Sequence, residues 1–231
     1  MLFTGCAYIQ SPRTPLNTIY YSNGSPKADT LLVLLPGMGS RAEDFIKNDF
    51  LRQIETAGVK ADAVLVDAYL RYYLQRNILV RLQEDVILPA QEKGYKNLWL
   101  VGISMGGLGT LLYAKEHPQV LKGMVLLAPF LGEEKLIEEI WSAGGVRNWR
   151  AKMPLTDENY QEMIWDWLKA YSQSDQARPR LLLGFGTEDP FYRANSLLGE
   201  VVPKEQVYTQ PGGHDWQTWR SIFYKMLIDH F

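Results

Sequence analysis

"KNLWLVGISMGGLGTLLYAKEH" (residues 96–117) runs from an apolar stretch through a Gly-x-Ser-x-Gly pattern into small and apolar residues at helical spacing. The first part, 96–102, reads as a strand buried on both faces, because its apolar residues are continuous rather than alternating. The part from Met105 reads as a helix that ends before Pro118, since a proline disfavours helical angles at the residue ahead of it. Ser104 falls on the join. A sharp strand-to-helix turn forces that residue into sparsely populated backbone angles and lifts its hydroxyl out at the top of a sheet. Gly102 and Gly106 then have a reason, because a β-carbon at either place would collide with the neighbouring strand or helix. The competing reading is tight helix–strand packing without chemistry, and the rest of the chain must decide.

Outward from this stretch the same alternation recurs. "NTIYYS" (17–22) reads as an early strand, "TLLVLLPG" (30–37) and "ADAVLVD" (61–67) as buried strands, and "LKGMVLLAP" (121–129) as another. Between them, "RAEDFIKNDFLRQIETAG" (41–58) predicts a helix stopped at Gly58, and "NILVRLQEDVILPAQEKG" (77–94) a helix interrupted or kinked at Pro89. Residues 132–176 break the alternation with helical, tryptophan-rich sequence: Trp141, Trp149, Trp165 and Trp167. It resumes with the strand "RLLLGFG" (180–186), a helix over 193–199, the strand "EQVYTQ" (205–210) and a closing helix over 215–230. This order predicts an α/β fold, a mostly parallel sheet with helices on both faces. The expected organisation is an N-terminal tether, 1–16, and a single domain, 17–231. The insertion at 132–176 is expected as a lid over the carboxyl ends of the strands, where open α/β sheets bind ligands.

Composition narrows the function. A chain of 231 residues, 46% hydrophobic and 22% charged, suits one globular domain. A formal net charge of −2 gives no reason to expect nucleic acid or an anionic membrane as partner. No apolar run approaches the roughly 18 residues needed to cross a bilayer. One cysteine forbids an intrachain disulfide, and the absence of zinc-ligand spacing predicts no metal. That cysteine, Cys6 in "LFTGCAYIQSP", looks like a bacterial lipobox followed by a polar tether through Pro12 and Pro15. Only five residues precede it, too few for the n- and h-regions of a signal peptide. Two readings stand. Either Cys6 carries a lipid and the protein sits in the cell envelope, its only expected contact with a membrane, or it is an ordinary thiol and the protein is cytoplasmic.

A serine hydroxyl is a poor nucleophile until a base takes its proton. The chain has three histidines. His117 lies at the far end of the helix that Ser104 opens, and His230 is the penultimate residue. His214, in "PGGHDWQTW", follows a strand and two glycines on a loop at the carboxyl edge of the sheet, where a base must be. The base needs a carboxylate to hold its tautomer. "GFGTEDPF" supplies Asp189 directly after its strand, with Glu188 as the alternative. Asp215 is adjacent to His214 in sequence and so poorly placed to reach its ring. The remaining requirement is backbone N–H groups aimed at the developing oxyanion. Met105, after the nucleophile, would give one, and Met38 in "LLPGMGS" the other.

Taken together, "LLPGMG", "GISMGG", "GTEDP" and "GGHDW" resemble the α/β-hydrolase family in its order Ser, Asp, His, over residues 30–231. "GISMGG" and "GGHDWQTW" are similar to the esterase-D-like and feruloyl-esterase-like branch. Pro36-Gly37 stands where that family often has His-Gly. The resemblance implies hydrolysis of a small-molecule carboxylic ester through an acyl-enzyme on Ser104, with no cofactor. Gly37, Asp67, Tyr72 and Trp216 are the expected substrate contacts, with Arg71 beside them. The insertion's Trp141, Trp149, Trp165, Trp167, Tyr160, Met153 and Met163 line an apolar pocket or form the lid's own core. Thioesterase or acyltransferase activity on the same residues, and a catalytically silent binding protein of the envelope, are the rival expectations.

Overall fold

The computed structural model describes residues 11–24, 28–172 and 178–231; Cys6 and the first ten residues of the expected tether lie outside them. Among the described residues seven strands form one sheet: β1 (Thr18–Tyr21), β2 (Thr30–Leu35), β3 (Ala61–Val66), β4 (Asn97–Ile103), β5 (Gly123–Leu127), β6 (Arg180–Gly186) and β7 (Val207–Gln210). Their spatial order is β1-β3-β2-β4-β5-β6-β7. All neighbours are parallel except β1, which runs antiparallel to β3 at the edge. This is the α/β-hydrolase fold. The central strands are the continuous apolar runs of the sequence, and Leu31 to Leu35 of β2 are almost wholly enclosed. β1 has exposed and half-buried residues only, as an edge strand should.

The chain leaves β2 toward β3 on one side and later reaches β4 on the other side of β2. The crevice between the carboxyl ends of β2 and β4 is therefore the topological switch point, where open α/β sheets take their ligands. The loop 36–41 and the Ser104 turn both open there.

Helices flank the sheet: α1 (Ala42–Lys47), α2 (Phe50–Thr56), α3 (Leu70–Leu74), α4 (Ile78–Leu82), α5 (Leu88–Glu92), α6 (Met105–Glu116), α7 (Glu134–Ser142), α8 (Tyr160–Leu168), α9 (Tyr192–Gly199) and α10 (Trp216–His230). Two depart from the sequence expectation. The helix expected over 41–58 is split, because Asp49 takes left-handed angles (φ 61°) between α1 and α2. Asp tolerates that conformation better than most residues. The helix expected over 77–94 is α4 and α5 joined by one turn of π-helix, Gln83–Ile87. Pro89 has no N–H to donate four residues back, and its ring crowds that carbonyl. The wider turn just ahead of it absorbs the misfit.

Between β5 and β6, α7 and α8 pack beside α9 and α6 respectively. Trp149 and Trp165 are core residues of this insertion. The Trp165 indole N–H donates to the Leu131 carbonyl at 2.7 Å, and that of Trp149 to Glu139 at 3.0 Å. Trp141, by contrast, is 48% exposed under the guanidinium of Arg193.

Residues 11–17 are packed against the domain. The Tyr69 hydroxyl donates to the Ser11 carbonyl at 2.7 Å, and the Tyr72 hydroxyl bridges the N–H and C=O of Arg13 at 2.9 and 3.0 Å. Leu16 is buried, with its N–H on the Asp85 carboxylate at 2.8 Å.

Candidate active site

Ser104 sits between β4 and α6 with φ 52° and ψ −114°, angles that an L-residue adopts only when its surroundings insist. The glycines show what insists. A β-carbon on Gly102 would lie 2.4 Å from the Gly106 carbonyl oxygen, inside the turn itself. One on Gly106 would lie 2.2 Å from the Leu35 carbonyl oxygen of β2. The turn can be this tight because both positions lack a side chain. Ser104 is anchored through its backbone: its N–H donates to Leu127 at 3.0 Å, and its carbonyl accepts from Phe130 at 3.0 Å.

The loop after β2 lies against this serine. A β-carbon on Gly37 would come 3.3 Å from the Ser104 β-carbon, a tight contact. Residues 37–40 form a turn in which Ser40 N–H donates to the Gly37 carbonyl at 3.1 Å and Gly39 takes φ 84°. That turn hydrogen bond is made by Ser40, so it leaves the Met38 N–H out, while the Met38 side chain is 60% exposed. Met105 opens α6, and the first N–H groups of a helix have no intrahelical acceptor.

Across the crevice, the turn after β6 and the loop after β7 are locked together. Thr187 N–H donates to Gln210, and Glu188 N–H to Gly212, each at 2.9 Å. Asp189 is buried, and its two carboxylate oxygens take different partners. Oδ1 accepts from Phe191 N–H at 2.7 Å, and Oδ2 lies 2.8 Å from His214 Nδ1. Of the two acidic candidates after β6, Asp189 is the one on the imidazole; Glu188 is exposed. Asp215 is the N-cap of α10 and accepts from Thr218 N–H at 2.9 Å. That hydrogen bond holds its carboxyl below the usual carboxylate range. The other histidines are remote from this pair: the ring of His117 lies against Tyr113, and that of His230 against Tyr208.

The expected substrate contacts divide. Gly37 faces Ser104 so closely that a β-carbon there would crowd it, as above. Asp67, just after β3, pairs with Arg41 of the β2 loop at 3.0 Å, and the Arg41 guanidinium lies 4.0 Å above the Tyr69 ring. Tyr72, by contrast, is 1% exposed, with its hydroxyl on the backbone of Arg13. Trp216 stacks edge-on against Phe45 and Phe50 at 5.4 and 5.5 Å, which puts its ring to work in holding α1 and α2 to α10.

Three aromatic residues at the site had no distinguishing signal in the sequence. Phe130 donates its N–H to Ser104, Phe191 donates its N–H to Asp189, and Trp219 packs on His214. In the sequence, Phe191 stands close to Asp189 in "EDPF" and Trp219 close to His214 in "HDWQTW". Among the described residues, no group of three His, Cys, Asp or Glu is placed to hold a metal ion, and no helix is long and apolar enough to cross a membrane.

Comparison with known proteins agrees with this architecture. Residues 82–167 match the family model described as serine aminopeptidase, S33, a segment that contains the Ser104 turn and ends before Asp189. No curated protein sequence matches significantly. Among solved structures, the chain is similar to Est1E from Butyrivibrio proteoclasticus, with a TM-score of 0.63 and 17% identity over 93% of this chain and 92% of that one. It is similar to an S-formylglutathione hydrolase from Staphylococcus aureus, with a TM-score of 0.58 and 17% identity over 94% and 98% of the two chains. A monoacylglycerol lipase from Paleococcus ferrophilus gives a TM-score of 0.57 and 16% identity over 94% and 99%.

Proposed function

We propose that the protein is a serine hydrolase that cleaves carboxylic esters through an acyl-enzyme, with Ser104 as nucleophile, His214 as base and Asp189 as its orienting carboxylate. The observation that carries this reading is the 2.8 Å contact between Asp189 Oδ2 and His214 Nδ1 at the same sheet edge as a serine with strained backbone angles. A structural ion pair needs no such serine, and a packing turn needs no such pair. Their coincidence supports catalysis.

In this reading the Asp189 carboxylate keeps the proton on His214 Nδ1, so that Nε2 is the free lone pair. Nε2 takes the Ser104 hydroxyl proton as Oγ attacks the ester carbonyl carbon. The Met38 and Met105 N–H groups receive the negative charge on the carbonyl oxygen. His214 returns the proton to the leaving alcohol, and water then repeats the sequence on the acyl-serine. Est1E, whose structure has also been determined with ferulic acid bound, and the monoacylglycerol lipase support an ester as substrate. The S-formylglutathione hydrolase keeps a thioester in view, and the family model's description an aminoacyl amide.

The test is turnover of p-nitrophenyl acetate, butyrate and octanoate, a feruloyl ester, an acyl thioester and an aminoacyl p-nitroanilide by wild type and Ser104→Ala. Ester turnover that falls by about 10³-fold or more in the variant is the expected result. Preference for the anilide moves the reading to amide hydrolysis. No turnover with any substrate, together with no labelling by a fluorophosphonate, would sink it.

A further inference from the structure

We infer that Phe191 is a positioning residue for His214, holding the imidazole against Trp219 at the angle the reaction needs. The inference rests on the assignment of Ser104, His214 and Asp189 proposed above. The His214 ring is flanked by two aromatic rings, each nearly perpendicular to it. Phe191 lies at 4.9 Å and 81°, and Trp219 at 4.8 Å and 86°. Edge-to-face contacts of this kind have a preferred geometry, unlike a general apolar surface. The hydrogen bond to Asp189 tethers only Nδ1 and leaves the ring free to swing about that tether. Rings against the imidazole remove this freedom and fix where Nε2 points.

Phe191 is itself unusually well fixed. Its N–H donates to Asp189 Oδ1 at 2.7 Å, so the residue that packs on the base also holds the acid. Its carbonyl accepts twice from Asn195, from the backbone N–H and from the side-chain Nδ2, each at 2.9 Å. Asn195 is fully buried, and its Oδ1 has no hydrogen-bond partner among the described residues. The backbone N–H and the side-chain NH₂ of Asn195 thus converge on one carbonyl and hold the Phe191 backbone in place. The Phe191 ring also meets Phe130 at 5.7 Å, and the Phe130 N–H donates to the Ser104 carbonyl. One aromatic side chain thus bridges the loop anchored on the nucleophile and the turn that carries the acid, with the base packed against it. Trp219 gives the second wall, and its buried indole N–H has no acceptor among the described residues. Its ring, and not its polar atom, is what the position uses.

The experiment compares Phe191→Ala, Phe191→Tyr and the double variant Phe191→Ala/His214→Ala with wild type and His214→Ala, on p-nitrophenyl acetate and butyrate. Misplacement of a catalytic group by about 1 Å is worth about 10²-fold, so kcat in Phe191→Ala should fall by about 10–100-fold. KM should move by less than about threefold, since the ground-state contact with substrate is unchanged. Phe191→Tyr keeps the ring and should recover most of the rate. In the His214→Ala background the Phe191→Ala change should alter the residual rate by less than about twofold, because there is no base left to position. A rise in KM at unchanged kcat would make Phe191 a substrate wall and overturn the inference. So would a loss that Phe191→Tyr fails to recover, or one that persists in the His214→Ala background. If His214→Ala itself retains wild-type turnover, the underlying assignment fails first and takes the inference with it.

Discussion

Asp189 and His214 meet at 2.8 Å with unequal exposure: the carboxylate side chain is fully enclosed, while the imidazole is 23% exposed. An enclosed carboxylate with one oxygen on Phe191 N–H and the other on the ring can only accept, so it dictates which ring nitrogen holds the proton. Asp189→Asn tests this with little change of shape. The amide oxygen can still accept from Phe191, but its NH₂ then faces Nδ1 and demands a lone pair there, which moves the proton to Nε2. The expected loss in kcat is about 10³–10⁴-fold, with the folded structure retained by circular dichroism. A variant within about tenfold of wild type would show that the carboxylate does not govern the tautomer.

Gly106 and Leu35 define how closely α6 approaches β2. In an ordinary helix, Gly→Ala gains about 1 kcal/mol of helix propensity. Here the added carbon would meet the Leu35 carbonyl oxygen at 2.2 Å, backbone against backbone, and neither partner has a rotamer to give. Collision should win. Gly106→Ala is expected to lower unfolding free energy by more than about 3 kcal/mol in urea titrations and to abolish turnover. Gly39→Ala is the control: it has open space around it and only its positive φ to resist, at about 1–2 kcal/mol. Equal behaviour of the two variants would remove the collision argument.

Tyr72 separates stability from activity. Its hydroxyl serves the backbone N–H and C=O of Arg13 and no part of the crevice. Tyr72→Phe should therefore lower stability by about 1–3 kcal/mol, the cost of leaving partly buried polar groups unpaired. For a chain of this length that is about 2–4 °C in thermal midpoint per kcal/mol. Both kcat and KM should stay at wild-type values. A selective rise in KM would restore Tyr72 to the substrate pocket.

The contrast between Gly106 and Tyr72 shows what could be read from sequence and what could not. Strands and the Ser104 turn were legible because each is written locally, in an unbroken apolar run or in glycines spaced around one serine. The meeting of His214 with Asp189 was legible because one histidine and one short acidic turn follow strands at that edge; the roles of the two are those proposed above. The seating of residues 11–17 was not. Ser11, Pro12, Arg13 and Thr14 have the composition of a linker, and what holds them is a pair of tyrosine hydroxyls nearly sixty positions away. The break at Asp49 was hidden too, because apolar spacing continues through it and only one residue's backbone angles differ. Phe191 was masked by its type, since an aromatic residue at the start of a helix is usually core. Its role depends on what its N–H, carbonyl and ring each touch, and those are tertiary facts.

Asp215 gives a pH-dependent prediction whose sign follows from its hydrogen bonds. The carboxylate caps α10, accepting from Thr218 N–H at 2.9 Å, Thr218 Oγ1 at 3.1 Å and Gly213 N–H at 3.2 Å. The Thr218 N–H bond is the main cause of its lowered pKa. A carboxyl with a depressed folded-state pKa adds stability that is complete above its ordinary value of 3.8 and is lost as pH falls through the folded value. Asp215→Asn keeps an oxygen for the Thr218 N–H, puts an NH₂ where Oδ2 accepted from Gly213 N–H, and removes the charge. Near pH 7 it should therefore be less stable than wild type by about 0.3–1 kcal/mol, the worth of a negative charge at a helix N-terminus. As wild type protonates, that difference should shrink toward zero. Asp215→Ala, which removes the cap itself, should cost about 1 kcal/mol near pH 7. It should also slow turnover, because the same cap orders the helix start that carries Trp219 behind His214. Urea titrations of the three proteins at neutral pH and below pH 3 measure the difference directly. If Asp215→Asn differs from wild type equally at both, charge is not what the cap contributes.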